Sequence, residues 1–270
     1  MTTARQPLAT FLTDFGTRDP YVAQMKGAVL SICPQAQLVD ITHEVAPQEV
    51  LEAAFILAQA APDFPKGTVH VAVVDPGVGG DRKILAAKIN GQYFLAPDNG
   101  LLSFVAADSQ LEELVAVRNV EFLPPPGAPM TFHGRDVFAP LAGHLLNGMD
   151  IRRLGPQPQT YVLLDLASPG MDGDDIVGQV VYIDRFGNLI SNIPAATVSH
   201  QWPHLDNLRL TCANRDAGTV QGTYSFVGTG EPLGVFNSMG LLEVAVNRGL
   251  ARDHFKAAIG SEVRITRKRI

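Results

Sequence analysis

Two cysteines in 270 residues, Cys33 and Cys212, lie far apart and outside any CxxC spacing. That scarcity excludes a disulfide framework and a thiolate zinc site, and a reducing cytoplasm is the expected compartment. Positive charge is also sparse. Lys and Arg number 21 against 27 Asp and Glu, the net charge is −6, and apart from a terminal RKR the basic residues are dispersed. No basic face for a phosphate backbone results, so nucleic acid is not an expected partner. No apolar run approaches the roughly 18 residues of a membrane span. The opening MTTARQPLATF holds no apolar stretch of signal-peptide length, so neither export nor insertion is expected. Internal repeats and long low-complexity tracts are missing as well.

Hydrophobic residues at 46% and charged residues at 18% describe an ordinary globular chain, long enough for one large domain or two. Its organising stretch is Val71 to Lys83, VAVVDPGVGGDRK. The strand-like run from Val71 to Val74 meets Asp75, and a Pro-Gly and Gly-Gly loop reverses the path before Arg82. An acid and a base thus stand at the exit of a buried strand, where open α/β sheets bind ligands. The plain alternative is a structural turn closed by an Asp–Arg ion pair. A phosphate cradle is excluded, since neither the GK[ST] ending nor G-x-G-x-x-G spacing occurs.

Leu8 to Leu12 reads as a strand delivering Asp14 at its exit. Helices are predicted over Tyr21 to Ile32 and Val50 to Ala60, with a strand over Gln37 to Ile41 between them. This β-α-β-α order predicts parallel pairing. Ile84 to Ile89 and Tyr93 to Ala96 flank Asn90-Gly91, a hairpin signal that makes the sheet mixed. Leu101 to Val105 reads as a helical turn and Leu114 to Val117 as a strand. The stretch from Met130 to Leu146 turns helical in its later part, with His133 near its entry, where a helix N-terminus favours the neutral ring. Tyr161 to Leu166 reads as one more strand inside a Pro- and Gly-rich transition.

The expected fold is an α/β N-terminal domain with a mixed, mostly parallel sheet over residues 1–165 and a linker over 166–175. A small antiparallel, barrel-like β domain follows over 176–270. Strands there are predicted at Ile176 to Ile183, Leu208 to Cys212, Gly234 to Phe236, Leu241 to Val246 and Val263 to Thr266.

Six blocks in series carry a family resemblance: TDFGTRDPYVAQMKG from Thr13, VVDPGVGGDR from Val73, APDNGLL from Ala96, TFHGRD from Thr131, IDRFGNLISNI from Ile183 and NSMGLLEVAVNRG from Asn237. In order and over nearly the whole chain, they resemble the S-adenosyl-L-methionine (SAM) hydroxide adenosyltransferases, relatives of the fluorinating and chlorinating enzymes. The resemblance implies attack by a water-derived hydroxide on C5′ of SAM, giving adenosine and L-methionine. It implies no cofactor and no metal, and a homotrimer with active sites shared between neighbouring subunits. Asp75, Arg82 and His133 match the family's catalytic Asp-Arg-His set. Carboxylate and imidazole both remain candidates for the proton acceptor.

Binding roles carry over residue by residue. Asp14 matches the acid that takes the ribose hydroxyls, and Asp184 the group that meets the methionine ammonium. Phe186 and Asn188 match adenine or methionine-side contacts, Ser238 a methionine-carboxylate contact, and Asn247 and Arg248 the adenine edge. Turn chemistry around Gly187 is the plain alternative for Asp184 and Asn188, and a strand cap the simpler reading of Asn247 and Arg248. The halogenating relatives carry Tyr at the places of Asp75 and His133, Arg at that of Met239 and, in the fluorinating members, Ser at that of Gly134. A carboxylate beside a halide would repel it, so Asp75 argues for hydroxide. Halide transfer, a SAM or nucleoside binding protein without turnover, and a metal-dependent hydrolase using Asp75, Asp98 and His133 are the competing expectations. His43, His70 and His144, like His200, His204 and His254, are read as structural or surface residues.

Overall fold

The computed structural model describes residues 6–107, 110–125, 127, 131–164, 168–203 and 208–267. The chain forms two compact units, Met1–Leu164 and Asp165–Ile270.

In the first unit strands and helices alternate as β1 (Leu8–Thr13), α1 (Tyr21–Ile32), β2 (Gln37–Thr42), α2 (Val50–Ala60) and β3 (Val69–Val73). Then come β4 (Ile84–Ile89), β5 (Gln92–Pro97), α3 (Ser103–Ala107), β6 (Leu111–Ala116) and α4 (Ala139–Leu146). The six strands form one sheet in the order β2-β1-β3-β5-β4-β6. β1 is parallel to β2 and β3, and β3 to β5, as helical crossovers require. β4 runs antiparallel to β5, because Asn90 and Gly91 take positive φ, 52° and 79°, and turn the chain in two residues; β6 pairs antiparallel on its other side.

Alternation along β3 divides the core. Val71 and Val73 pack with Met25 and Val29 of α1 and Leu141 of α4, whereas Ala72 and Val74 meet Ala53 and Leu57 of α2 on the other face. A strand covered on both sides must be apolar throughout, which explains its unbroken hydrophobic run. Register then fixes the site. Thr13 at the end of β1 pairs with Val73 at the end of β3, so Asp14 and Asp75 leave the sheet on adjacent strands at the same edge.

The second unit holds β7 (Gly170–Asp172), β8 (Asp175–Ile183), β9 (Leu189–Pro194), α5 (Ala195–Gln201), β10 (Leu208–Cys212), β11 (Arg215–Thr219), β12 (Pro232–Phe236), β13 (Leu241–Val246), α6 (Ala251–Phe255) and β14 (Glu262–Arg267). Antiparallel neighbours run β11-β10-β14-β8-β9-β13-β12, with β7 on β8. A bridge between Val220 and Gly234 brings the two ends of this path together and nearly closes a barrel. The approach demands glycine at 218, where φ is +78° and a Cβ would lie 2.5 Å from the Pro232 carbonyl oxygen.

Several expectations shift. Residues 161–164 are not a strand: Val162 and Leu164 donate their N–H groups to Oδ1 of Asp98 and Oγ of Ser103, both at 2.7 Å, so side chains replace a ladder. Leu166 and Met130 lie outside the described residues. The helix expected after Met130 regularises only at Ala139, behind a π-helical turn over Gly134–Phe138. Pro140 supplies no N–H to the carbonyl of Asp136, which favours a widened turn there. The strand expected at Val71 begins two residues earlier and ends at Val73. β7, β9 and β11 have no counterpart among the expected strands. No helix among the described residues is long and apolar enough to cross a membrane.

Candidate active site

Beyond β3 the loop folds back through bonds from Val78 N to Asp75 O (3.2 Å) and Gly80 N to Gly77 O (3.1 Å), which returns Arg82 over Asp75. Arg82 Nε donates to Oδ1 and Oδ2 of Asp75 at 3.0 and 2.9 Å, and Nη2 donates to Oδ2 as well. Both side chains are buried, with 10% of Arg82 and 4% of Asp75 exposed. The same Nη2 lies 2.6 Å from Nδ1 of His133. A guanidinium only donates, so Nδ1 accepts and the neutral ring carries its proton on Nε2. Burial, and then the charge of Arg82, hold the His133 pKa below its ordinary value, against the opposing charges of Asp75 and Asp136. Burial and Arg82 therefore supply the neutrality that the sequence suggested a helix terminus would provide. Among the described residues Nε2 of His133 finds no hydrogen-bond partner.

Asp75 and His133 line a cleft of about 570 Å³, with Asp14, Phe15, Tyr21 and Gln48 on its other walls, while Arg82 bonds to both from outside the lining. That volume suits a nucleoside-sized ligand. Oδ2 of Asp14 accepts the Gln48 N–H at 2.9 Å. Phe15, Tyr21 and Phe132 meet edge to face with centroids 5.2 to 5.9 Å apart. Gly134 sits against this cluster: a Cβ there would come within 2.9 Å of Met25 Sδ and Phe132 Cε2.

In the second unit, Asp184, Phe186 and Asn188 share the turn between β8 and β9. Oδ1 and Oδ2 of Asp184 accept from the Asn188 backbone N–H (2.8 Å) and side-chain amide (2.9 Å), so both residues are engaged in closing the turn. Phe186 is 73% exposed. Ser238 lies exposed in the β12–β13 turn, where Oδ1 of Asn237 accepts from Met239 N (3.0 Å) and Leu241 N (3.1 Å). Asn247 donates to the Val227 carbonyl at 2.8 Å, and Arg248 takes φ +57°.

Glu243 was not singled out from the sequence. It is buried on β13 and accepts a 2.7 Å bond from the Tyr224 hydroxyl. Burial raises its pKa, helped by the charge of Asp184 and opposed by bonds from Tyr224 and Asn237. The available signal was one acid in the otherwise apolar strand LLEVAV. Asp98 is bonded to Lys83 (3.0 Å) and to Val162 N, not gathered into a metal set with Asp75 and His133. Among the described residues no group of three His, Cys, Asp or Glu is placed to hold a metal ion.

Comparison with known proteins gives a match to the SAM hydroxide adenosyltransferase N-terminal domain over residues 9–155 and to its C-terminal domain over 178–264. The chain belongs to the SAM hydroxide adenosyltransferase family. One relative, the (R)-S-adenosyl-L-methionine hydrolase of Thermus thermophilus, is 38% identical over 94% of this chain and 98% of its own. A Nocardia brasiliensis fluorinase is more distant, 32% identical over 71% of this chain and 73% of its own. A solved Thermotoga maritima structure, described as an uncharacterized conserved protein, superposes with TM-score 0.89 at 37% identity, covering 96% of this chain and all (100%) of that one. In this family member, then, one domain brings Asp14, Asp75 and His133 to a common cleft with Arg82 behind the last two, and the other carries Asp184, Asn188 and Ser238 on turns.

Proposed function

We propose that this chain hydrolyses SAM to adenosine and L-methionine, with Asp75, Arg82 and His133 as the catalytic set. The observation that carries the reading is Arg82, which pairs with Asp75 and donates to His133 at the same time. A sulfonium leaving group loses its positive charge as the C5′–S bond breaks, so departure needs no oxyanion hole. The demanding partner is water, whose pKa of about 15.7 must be overcome. With Nδ1 committed to Arg82, His133 keeps a buried Nε2–H with no partner among the described residues, the donor we assign to the attacking oxygen, and Asp75 becomes the acceptor of its proton as the C–O bond forms. The proton goes to the Asp75 carboxylate, the oxygen to C5′ and the bonding pair to sulfur.

Asp14 would hold the ribose hydroxyls, and Asp184, Phe186, Asn188, Ser238, Asn247 and Arg248 the remainder of SAM. We further propose a cytoplasmic homotrimer with active sites shared between neighbouring subunits, working without cofactor or metal. That binding residues occur on both domains supports this arrangement. Chromatography of SAM incubated with the purified chain, with and without chelator and chloride, tests the activity. Equal adenosine and methionine, insensitive to chelator and lost in Asp75→Asn, is the expected result; intact SAM overturns the reading, and 5′-chloro-5′-deoxyadenosine would transfer it to halogenation.

A further inference from the structure

His43 follows β2 and touches none of the reacting groups, yet it joins three segments that build the cleft. Its ring is 5% exposed. Nδ1 lies 2.8 Å from Oγ1 of Thr13, and that hydroxyl also accepts the Phe15 N–H at 3.2 Å. The His43 carbonyl accepts the Gly16 N–H at 2.8 Å. On the other side of the ring, Nε2 stands 2.9 Å from Oδ1 of Asp40, close enough to pair although off the line of an ideal hydrogen bond. Oδ2 of Asp40 takes a 2.6 Å bond from Nζ of Lys26 on α1. Partial burial raises the Asp40 carboxyl, but the bond from Lys26 and the close approach of His43 outweigh it and leave the pKa below its ordinary value.

His43 therefore grips the β1 exit loop by a bond from its ring at Thr13 and a bond to its backbone carbonyl at Gly16. Between those two points lie Asp14 and Phe15. Through Asp40 and Lys26 the same ring is tied to α1, which presents Tyr21 to the cleft. We infer that His43 is a positioning residue that fixes the loop carrying Asp14 for the nucleoside end of the substrate. This rests on the reading of the cleft as the SAM site. A buried hydrogen bond such as that between His43 and Thr13 restricts a loop to one conformation, and a loop held that way presents its carboxylate without first being ordered by the ligand.

The test compares His43→Ala, His43→Asn and the more exposed Asp40→Asn in the full chain, by amide hydrogen exchange without substrate and by steady-state turnover of SAM. In His43→Ala the Phe15 and Gly16 amides exchange at least about tenfold faster while β5 amides are unchanged. KM rises about tenfold with kcat held within about twofold, because a binding contact has been loosened. His43→Asn, whose Oδ1 reaches the place of Nδ1, recovers most of both effects, and Asp40→Asn shows a smaller change of the same sign. On an Asp14→Ala background His43→Ala adds no further rise in KM. Unchanged exchange at Phe15 and Gly16, or a loss confined to kcat, overturns the inference. Faster exchange in a chain whose parent leaves SAM intact upholds the grip on the loop and removes the hydrolase reading instead.

Discussion

Nη2 of Arg82 stands 2.6 Å from Nδ1 of His133 while the same guanidinium spans both carboxylate oxygens of Asp75. One cation thereby sets the roles of its two neighbours. It engages both oxygens of the acid and, by taking Nδ1 as its acceptor, leaves the imidazole with Nε2–H as its remaining polar group.

Asp75→Asn keeps the shape of the side chain but removes the acceptor. Turnover is expected to fall by about 10²- to 10⁴-fold, with SAM affinity changed little. Single-turnover chromatography and calorimetric titration separate the two quantities; an activity within tenfold of wild type would remove Asp75 from the proton's path.

The lowered pKa of His133 predicts an acid limb displaced downward. Turnover should stay level as pH falls through about 6.5, the ordinary histidine value, and decline only below it, when the ring protonates and opposes Arg82. His133→Gln should abolish that limb. A limb centred at or above the ordinary value contradicts the neutral-donor role.

His70 gives a stability prediction free of catalysis. Buried on β3, it bonds Thr10 Oγ1 at 2.7 Å, stacks on Phe94 at 4.6 Å, and has its pKa pushed down to about 4 by burial, with a bond to Gln92 opposing. The unfolded chain binds this proton near pH 6.5 and the folded chain does not until about 4. The contribution is thus complete above the unfolded value and lost as pH falls toward the folded one. It amounts to about 3 kcal/mol. Urea unfolding at about pH 7.5 and 4.5 should show this difference shrinking in His70→Gln.

Gly134→Ser would supply the hydroxyl that the fluorinating relatives carry, but its Cβ would strike Met25 and Phe132. The expected result is a loss of about 1–3 kcal/mol in thermal unfolding and no 5′-chloro-5′-deoxyadenosine with chloride present. Halide product from this single change would mean the aromatic cluster yields more readily than its packing implies.

The proposed sharing of sites between subunits predicts complementation. Asp75→Asn and Asp184→Ala, each weak alone, should regain part of the activity after co-refolding, since some mixed sites would hold neither change. Light scattering should give the mass of a trimer; a monomer with full activity would end that proposal.

The pair Asp75 and Arg82 was legible because both stand in one short loop whose Pro and Gly residues dictate a reversal. The helices at Tyr21 and Val50 were legible for the same local reason. Asp14 beside Asp75 was not, because their proximity depends on the long-range pairing of Thr13 with Val73. Residues 161–164 looked like a strand since their apolar character is real, yet Asp98 and Ser103 take the backbone bonds. Glu243 was hidden inside a strand pattern, and His43 showed no metal-like spacing because its partners are a hydroxyl, a carbonyl-bound loop and a distant helix.

The glycine at 218 has a consequence for how copies of this chain can meet. By letting the path from β11 return to β12 at the Val220–Gly234 bridge, it sets the two end strands of the sheet against each other. A foreign strand entering there would have to displace that contact, which favours recognition by matching side chains over edge-to-edge extension.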